Sequence, residues 1–521
     1  MLDQLGDWKR RFGTRDAEGL ERLLAEAATQ PLEDAASLIR LHEAALFFRA
    51  YPPSRRVATL ADGILARFGE RVAAFEQGGG DVTPFTEPEV SGIAGTVFAA
   101  VFSYEAVRRL APRYPRAFEI GWDEWDSSSA GAVLRRLLPL MEEDWPVEAN
   151  VPYRDWIKAA CGGQNPLVWL LARIDGLAMT AREKGELYDS LRLPVQWTLG
   201  RGAVTRSRMR LAGRKLFYHR EPLLGRADVS LRRELDGPEL PVTRLGRADA
   251  RRILDLMVQT SATRYRELYG FNHPDADRVY QALAGRGIEV FFFGVPREWR
   301  LPLRAYHSGM FFKNGVPAGY IEVLSLFERA EVGFNLYYTF REGESAWIYA
   351  RLLRLLRQML GVTCFSVDPY QIGHENHEAV ESGAFWFYRK LGFRPLEPEV
   401  AELLRREERR IEETPGYRSS RRTLEKLARG YILFEAAGSS GDWDRFRVRN
   451  LGFRVQAAKP RAGGGLEMVL GLIPDLGSWT DEEKAAVAAI VRAKGGPEES
   501  RYLKLMQRHV RLRRAVLALG S

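Results

Sequence analysis

Between Ala330 and Tyr370 the spacing of apolar residues changes twice, and no other feature limits so strongly what this chain can fold into. In AEVGFNLYYTF, residues 330–340, Val332, Phe334, Leu336, Tyr338 and Phe340 alternate with Glu331, Gly333, Asn335, Tyr337 and Thr339. That is the two-residue period of a strand with two different faces. From Glu344 to Leu360 the period becomes helical, with Ala346, Tyr349, Ala350, Leu353, Leu356 and Leu360 along one stripe. VTCFSVDPY, residues 362–370, reads as a strand again.

The segments on either side continue the alternation. PVTRL (241–245) reads as a strand, ADARRILDLMVQTSATRYREL as a helix and IEVFFFGVP as a strand, followed by HSGMFFKNG and AGYIEVLSLF paired about a turn at Lys313-Asn314-Gly315. After the central strand–helix–strand, EAVESGAFWFYRKLG reads as one helix ended by Gly392, and Phe393-Arg394-Pro395 opens another strand. Residues 1–195 instead place apolar residues three or four apart, as in EDAASLIRLHEAALFFRAY and GAVLRRLLPLMEED (131–144), which predicts helices broken at Pro52-Pro53 and Gly78-Gly79-Gly80. The expected fold class is α+β or α/β. A helical domain (1–195) leads through a basic connecting segment (196–240), with KLFYHREPLL as a strand, into a mixed central sheet with flanking helices (241–400). A mostly helical region (401–521) follows, containing YILFEA, a glycine-rich joint at 463–465 and a last basic helix.

At 521 residues the chain exceeds what one hydrophobic core supports, and 45% hydrophobic beside 28% charged residues is the balance of a globular protein. The opening MLDQLGDWKRRFG puts charges where a secretory signal needs an apolar core, and no segment approaches the roughly 20 apolar residues that span a bilayer. A cytoplasmic protein with no membrane partner is expected. Cys161 and Cys364 are too few for a disulfide framework, and Cys364, in an apolar run, reads as a small buried hydrophobe before a nucleophile. His374 and His377 lack the His-Glu-x-x-His spacing and a third ligand, so no metal is expected. Phosphate-loop, nucleophile-elbow and dinucleotide fingerprints are absent from the sequence, leaving kinase, hydrolase and dehydrogenase readings without their usual support. The net charge of +9 names no partner, but RGAVTRSRMRLAGRK, 201–215, gathers basic residues without an acidic one. It reads either as a cradle for a phosphate-rich ligand or as a solvated connection.

The order of strands and helices over 241–395, with the phrase AFWFYRKLGFRP at its end, resembles the GNAT (N-acetyltransferase) superfamily. The resemblance implies that acetyl-coenzyme A, or another acyl-coenzyme A, is the co-substrate and that a small-molecule or peptide amine is the acceptor. The family binds the donor where a strand splays from its neighbour and runs into a helix, so pantetheine pairs with the strand and pyrophosphate meets free amides at the helix start. Here that junction would be Leu336, Tyr337, Tyr338, Arg341, Gly343, Ser345 and Ala346, of which Arg341 and Ala346 match the family's loop. Glu344 stands where the central glycine is usual, and its carboxylate, with that of Glu342, would oppose a pyrophosphate.

By the same resemblance Tyr388 would protonate the departing thiolate, its other reading being a core tyrosine. Glu322 and Glu331 are the candidate bases. Asn335 either orients substrate or alternates outwards, while His374 and Asn376, in the polar 368–378 loop, are candidate substrate contacts, Asn376 also a helix cap. Two alternatives share this fold: a transferase using aminoacyl-tRNA, which draws on the basic run, and a GNAT-like scaffold without catalysis, which draws on Glu344. Binding of tRNA is the less favoured reading.

Overall fold

A computed structural model of the chain describes residues 1–10, 12, 17–138, 151–200, 202–458 and 464–521. The far end of the helix read at 131–144, Arg201 of the basic run and Gly463 of the glycine-rich joint lie outside them. The chain divides into two compact units, one of Met1–Pro222, Ala248–His273 and Asn314–Pro317, the other of Leu223–Arg247, Pro274–Lys313 and Ala318–Ser521. Both helices and sheets are present, so the fold is mixed α/β. Among the described residues no helix is long and apolar enough to cross a membrane.

In the first unit, Asp34 and Ser54 accept the Ser37 and Val57 amides and so start the helices Ala35–Ala50 and Arg55–Ala66. The stretch read as wholly helical also holds a small antiparallel sheet, in the order β1 (Val97–Val101), β3 (Pro194–Thr198), β2 (Phe118–Ile120). These strands span three to five residues each, too few turns of a two-residue period to stand out in the sequence. What fixes them is packing across the sheet: buried Trp197 stacks on Phe118 with ring centroids 4.9 Å apart. KLFYHREPLL forms no strand, because its backbone finds loop partners, the Phe217 amide bonding Asn314 Oδ1 (2.8 Å) and that of His219 bonding the Pro52 carbonyl (2.9 Å).

Two arginines of the basic run, Arg206 and Arg210, are tied into the first unit, while Lys215 is exposed. Arg206 is buried, pairs with Glu43 at 3.0 Å and donates to the Glu89 carbonyl at 2.6 Å. Arg210 pairs with Asp62, which also holds Arg49 at 2.6 Å. A guanidinium this deep is tolerated only with its partners in place, and the carboxylates of Glu43 and Asp62 come from helices more than a hundred residues upstream.

The second unit is built on a nine-stranded sheet in the order β11-β12-β10-β9-β8-β7-β6-β5-β4. Its strands are β4 (Val242–Arg244), β5 (Val279–Gly285), β6 (Ile288–Gly294), β7 (Ala305–Lys313), β8 (Val316–Leu326), β9 (Arg329–Leu336), β10 (Cys364–Val367), β11 (Arg394–Pro395) and β12 (Ile432–Glu435). Asn314 (φ 49°) and Gly315 (φ 78°) both turn left-handed at the β7–β8 hairpin, as an Asn-Gly turn requires. Strand β12 lies beyond the 241–400 span read as the sheet domain, yet it inserts between β10 and β11, pairing Val367 with Ile432 and Arg394 with Leu433. The sequence groups helix Arg247–Ala262 with the strands, but past its first residue it belongs to the first unit.

Strand β9 pairs antiparallel with β8 from Arg329 to Leu336, whereas β10 runs parallel to it and meets only Arg329, Ala330 and Glu331. Between them runs the helix Ser345–Leu360, which buries the predicted stripe and ends at Gly361 in the left-handed region (φ 73°). The segment read as one helix at 378–392 is two, His377–Glu381 and Ala384–Lys390. The break is at Gly383, whose φ of 67° no helix interior allows.

Candidate functional site

Because β10 leaves β9 after Glu331, the rest of β9 has an edge without a strand partner. On the β8 side the Tyr337 amide reaches the Ala318 carbonyl (2.9 Å), while the Phe334 carbonyl faces the other way and accepts the Gln371 side-chain amide (2.7 Å). Main-chain groups alternate sides along a strand, so Val332, Phe334 and Leu336 present theirs to the free edge. A pocket of about 220 Å³ lies there. Of the residues selected from sequence it gathers Asn335, Leu336, Arg341, Ser345, Asn376 and Tyr388.

Beyond Leu336 a single 3₁₀ turn, Tyr338–Phe340, carries the chain to the helix that begins at Ser345. The Ile348 amide is the first to bond within that helix, to the Glu344 carbonyl at 2.9 Å, which leaves the amides of Ser345, Ala346 and Trp347 without intrahelical acceptors. Gly343 closes the preceding turn with its amide on the Phe340 carbonyl (2.9 Å), Ala346 and Tyr337 are buried, and Tyr338 is exposed. None of these four lines the pocket. Arg341 does, but its guanidinium already pairs with Glu378, another lining residue, and lies over the Tyr338 ring.

Glu344 does not oppose an anion in this pocket. Its side chain is fully buried, 3.2 Å from Lys313 Nζ and 2.8 Å from Arg286 Nε, and it also accepts the Leu224 amide at 3.2 Å. The expected repulsion is absent because the carboxylate turns inward and is compensated by two cations. Burial pushes the Lys313 ammonium down from its ordinary range, and Glu344 opposes that shift. Glu342 remains exposed.

Tyr388 is buried among Tyr349, Phe387 and Phe393 with ring centroids 5.1–5.7 Å away, and its hydroxyl bonds the Gln371 side chain. Burial raises its pKa well above that of an ordinary phenol, so the hydroxyl keeps its proton at neutral pH. It is thus a core residue and a pocket residue at once. Asn376 caps the helix His377–Glu381 through its oxygen on the Ala379 amide (3.1 Å), and its nitrogen donates to the Tyr370 carbonyl (3.1 Å).

The candidate bases and His374 are not in this pocket. Glu322 sits opposite Gly333 in the β8–β9 register, accepts the Tyr306 hydroxyl, and is pushed toward the protonated form by burial. Burial raises Glu331 likewise, against the pull of Arg304 at 3.2 Å. Glu331 and His374 line a second pocket of about 370 Å³. The segment Asp368–Glu378 divides the two: Tyr370 and His374 face the larger pocket, Gln371, Asn376 and Glu378 the smaller.

Gln371 is the residue that sequence reasoning passed over. The available signal was Asp368-Pro369, a cap followed by proline at a first helical position, which predicts the short helix Pro369–Ile372 that aims Gln371 back at β9. Comparison with family models, with curated proteins and with solved structures gave no match to this chain.

Proposed function

We propose that the second unit is a GNAT-type acyltransferase that moves an acetyl or other acyl group from acyl-coenzyme A to an amine. The observation that carries this reading is the free edge of β9, which opens beside a helix start whose first amides lack intrahelical acceptors and near a tyrosine hydroxyl that keeps its proton. An extended amide-bearing chain can pair with such an edge as a strand does. Phosphate suits the helix start at Ser345, and Tyr388 would protonate a leaving thiolate. Glu322, across Gly333 from the edge, is the better base, because among the described residues its side-chain partner is a neutral hydroxyl, whereas Glu331 is tied to Arg304.

The scaffold alternative rests on Gln371 and Glu378, protein groups that already occupy the Phe334 carbonyl and the Arg341 guanidinium. The aminoacyl-tRNA alternative is weakened at Arg206 and Arg210, which pair with Glu43 and Asp62. Melting of the full chain with acetyl-coenzyme A and with desulfo-coenzyme A separates these readings. Binding to the folded state alone stabilises it by about 2.7 kcal/mol at a hundredfold excess over Kd. Saturable stabilisation by both is expected; none with either up to millimolar concentration removes the donor assignment.

A further inference from the structure

The larger pocket has a charge imbalance that the acyl-transfer reading does not use. Three of its four carboxylates are committed: Glu331 to Arg304 (3.2 Å), Glu397 to Arg447 (2.5 Å), and Asp368 to the Tyr370 amide (2.8 Å) and the Tyr431 hydroxyl. Glu375, exposed at the mouth, is the fourth. The pocket's five arginines outnumber its four carboxylates by one, and among the described residues no carboxylate lies within ion-pair distance of Arg329, Arg429 or Arg449. Arg429 and Arg449 are exposed, so water can serve them.

Arg329 is different. It is 8% exposed, its Nε donates to Ser366 Oγ at 3.0 Å, and its guanidinium carbon lies 5.5 Å and 5.4 Å from the ring centres of Tyr431 and Trp443. Aromatic faces and one hydroxyl replace only part of the water a guanidinium loses on burial. Its two terminal nitrogens, in the fork that matches a carboxylate or phosphate, have no acceptor among the described residues. A cation is kept in such a place at a cost that a bound anion would offset.

We infer that this pocket binds a small molecule through a carboxylate or phosphate group seated on Arg329, with Arg429 and Arg449 at the rim and Tyr431 and Trp443 as apolar walls. The volume suits a small molecule and not a macromolecular chain. The site is separate from the free edge of β9, so it stands whether or not the protein transfers acyl groups.

The test is calorimetric titration of the full chain with phenyl phosphate, with benzoate and, as a neutral control, with benzyl alcohol. Saturable binding of one or both anions without binding of the alcohol is expected, and the tighter of the two names the group. Arg429→Gln/Arg449→Gln, both exposed, should fold normally and weaken that binding about tenfold, as loss of charge-assisted hydrogen bonds does. Arg329→Gln, where folded, should abolish it, while Arg341→Ala should leave it unchanged. If neither anion binds saturably, if binding survives intact in the rim double variant and in folded Arg329→Gln, or if Arg341→Ala is the change that removes it, the assignment is wrong. Should Arg329→Gln fail to fold, the rim variant alone decides.

Discussion

Two pockets of the second unit share the 368–378 segment as a wall and differ in what they offer a ligand. The smaller presents a strand edge and the helix start at Ser345, with one arginine that is already paired. The larger presents side chains, five arginines and the rings of Tyr370, Tyr431, Trp443 and Phe446 among them. A main-chain edge reads the extended shape of whatever pairs with it, whereas a buried guanidinium reads charge and needs a rigid partner. One strand can therefore serve two kinds of recognition, because β9 is paired at its Arg329 end and free at its Leu336 end.

The comparison is open to attack first at Glu344, which anchors the turn beside the smaller pocket. Glu344→Gln leaves Lys313 and Arg286 buried beside a neutral amide and should cost about 3–5 kcal/mol, the usual loss when one partner of a buried ion pair is removed. The midpoint of thermal or urea unfolding reads this. Adding Lys313→Met should recover part of the loss; full stability in the single variant would mean the pair contributes nothing.

Tyr388→Phe should next lower turnover by about 10² to 10⁴, the span for a lost general acid, with acyl-coenzyme A affinity nearly unchanged. Steady-state kinetics beside donor titration separate the two, and unaltered turnover returns Tyr388 to a purely structural role.

The two glutamates sharpen the contrast through pH. Burial raises the Glu322 carboxyl, and a base must be ionised to act, so activity should fall about tenfold per unit as pH drops below that raised value. The acid limb then lies above the ordinary glutamate range. It should vanish with most of the activity in Glu322→Gln and persist in Glu331→Gln, which belongs to the other pocket; the reverse outcome would exchange their roles. Smallest is Arg341→Ala. A guanidinium that is about a third exposed and already paired should contribute roughly 1 kcal/mol or less to donor binding, about fivefold in Kd, measured by titration.

How far the sequence could be read depended on the range of the interaction. The β9 alternation and the stripe from Ala346 to Leu360 were legible, because a half-buried strand and an amphipathic helix each write their period into neighbouring residues. The Asn314-Gly315 turn was legible because its left-handed backbone selects its residues locally. Ser345 and Asn335, which line the smaller pocket, were selected through the family resemblance at the strand–helix junction.

The direction in which a charged side chain turns was not legible. Glu344 reads in sequence as an exposed acid at a helix start, and only Lys313 and Arg286, brought alongside by β7 and the β5–β6 hairpin, make it an interior one. Arg206 reads as part of a basic run and is buried by Glu43, 163 residues away. The sequence by itself determined those elements whose period is a local property, such as β9 and the helix Ser345–Leu360, but it left β5 (Val279–Gly285) unread, ran the β9 alternation past Leu336 and missed the break at Gly383. Tertiary structure alone decided which ions are paired, that β12 enters the sheet, and that β10 leaves β9 after Glu331. Those outcomes depend on partners far along the chain, whose free energy of pairing no local pattern records.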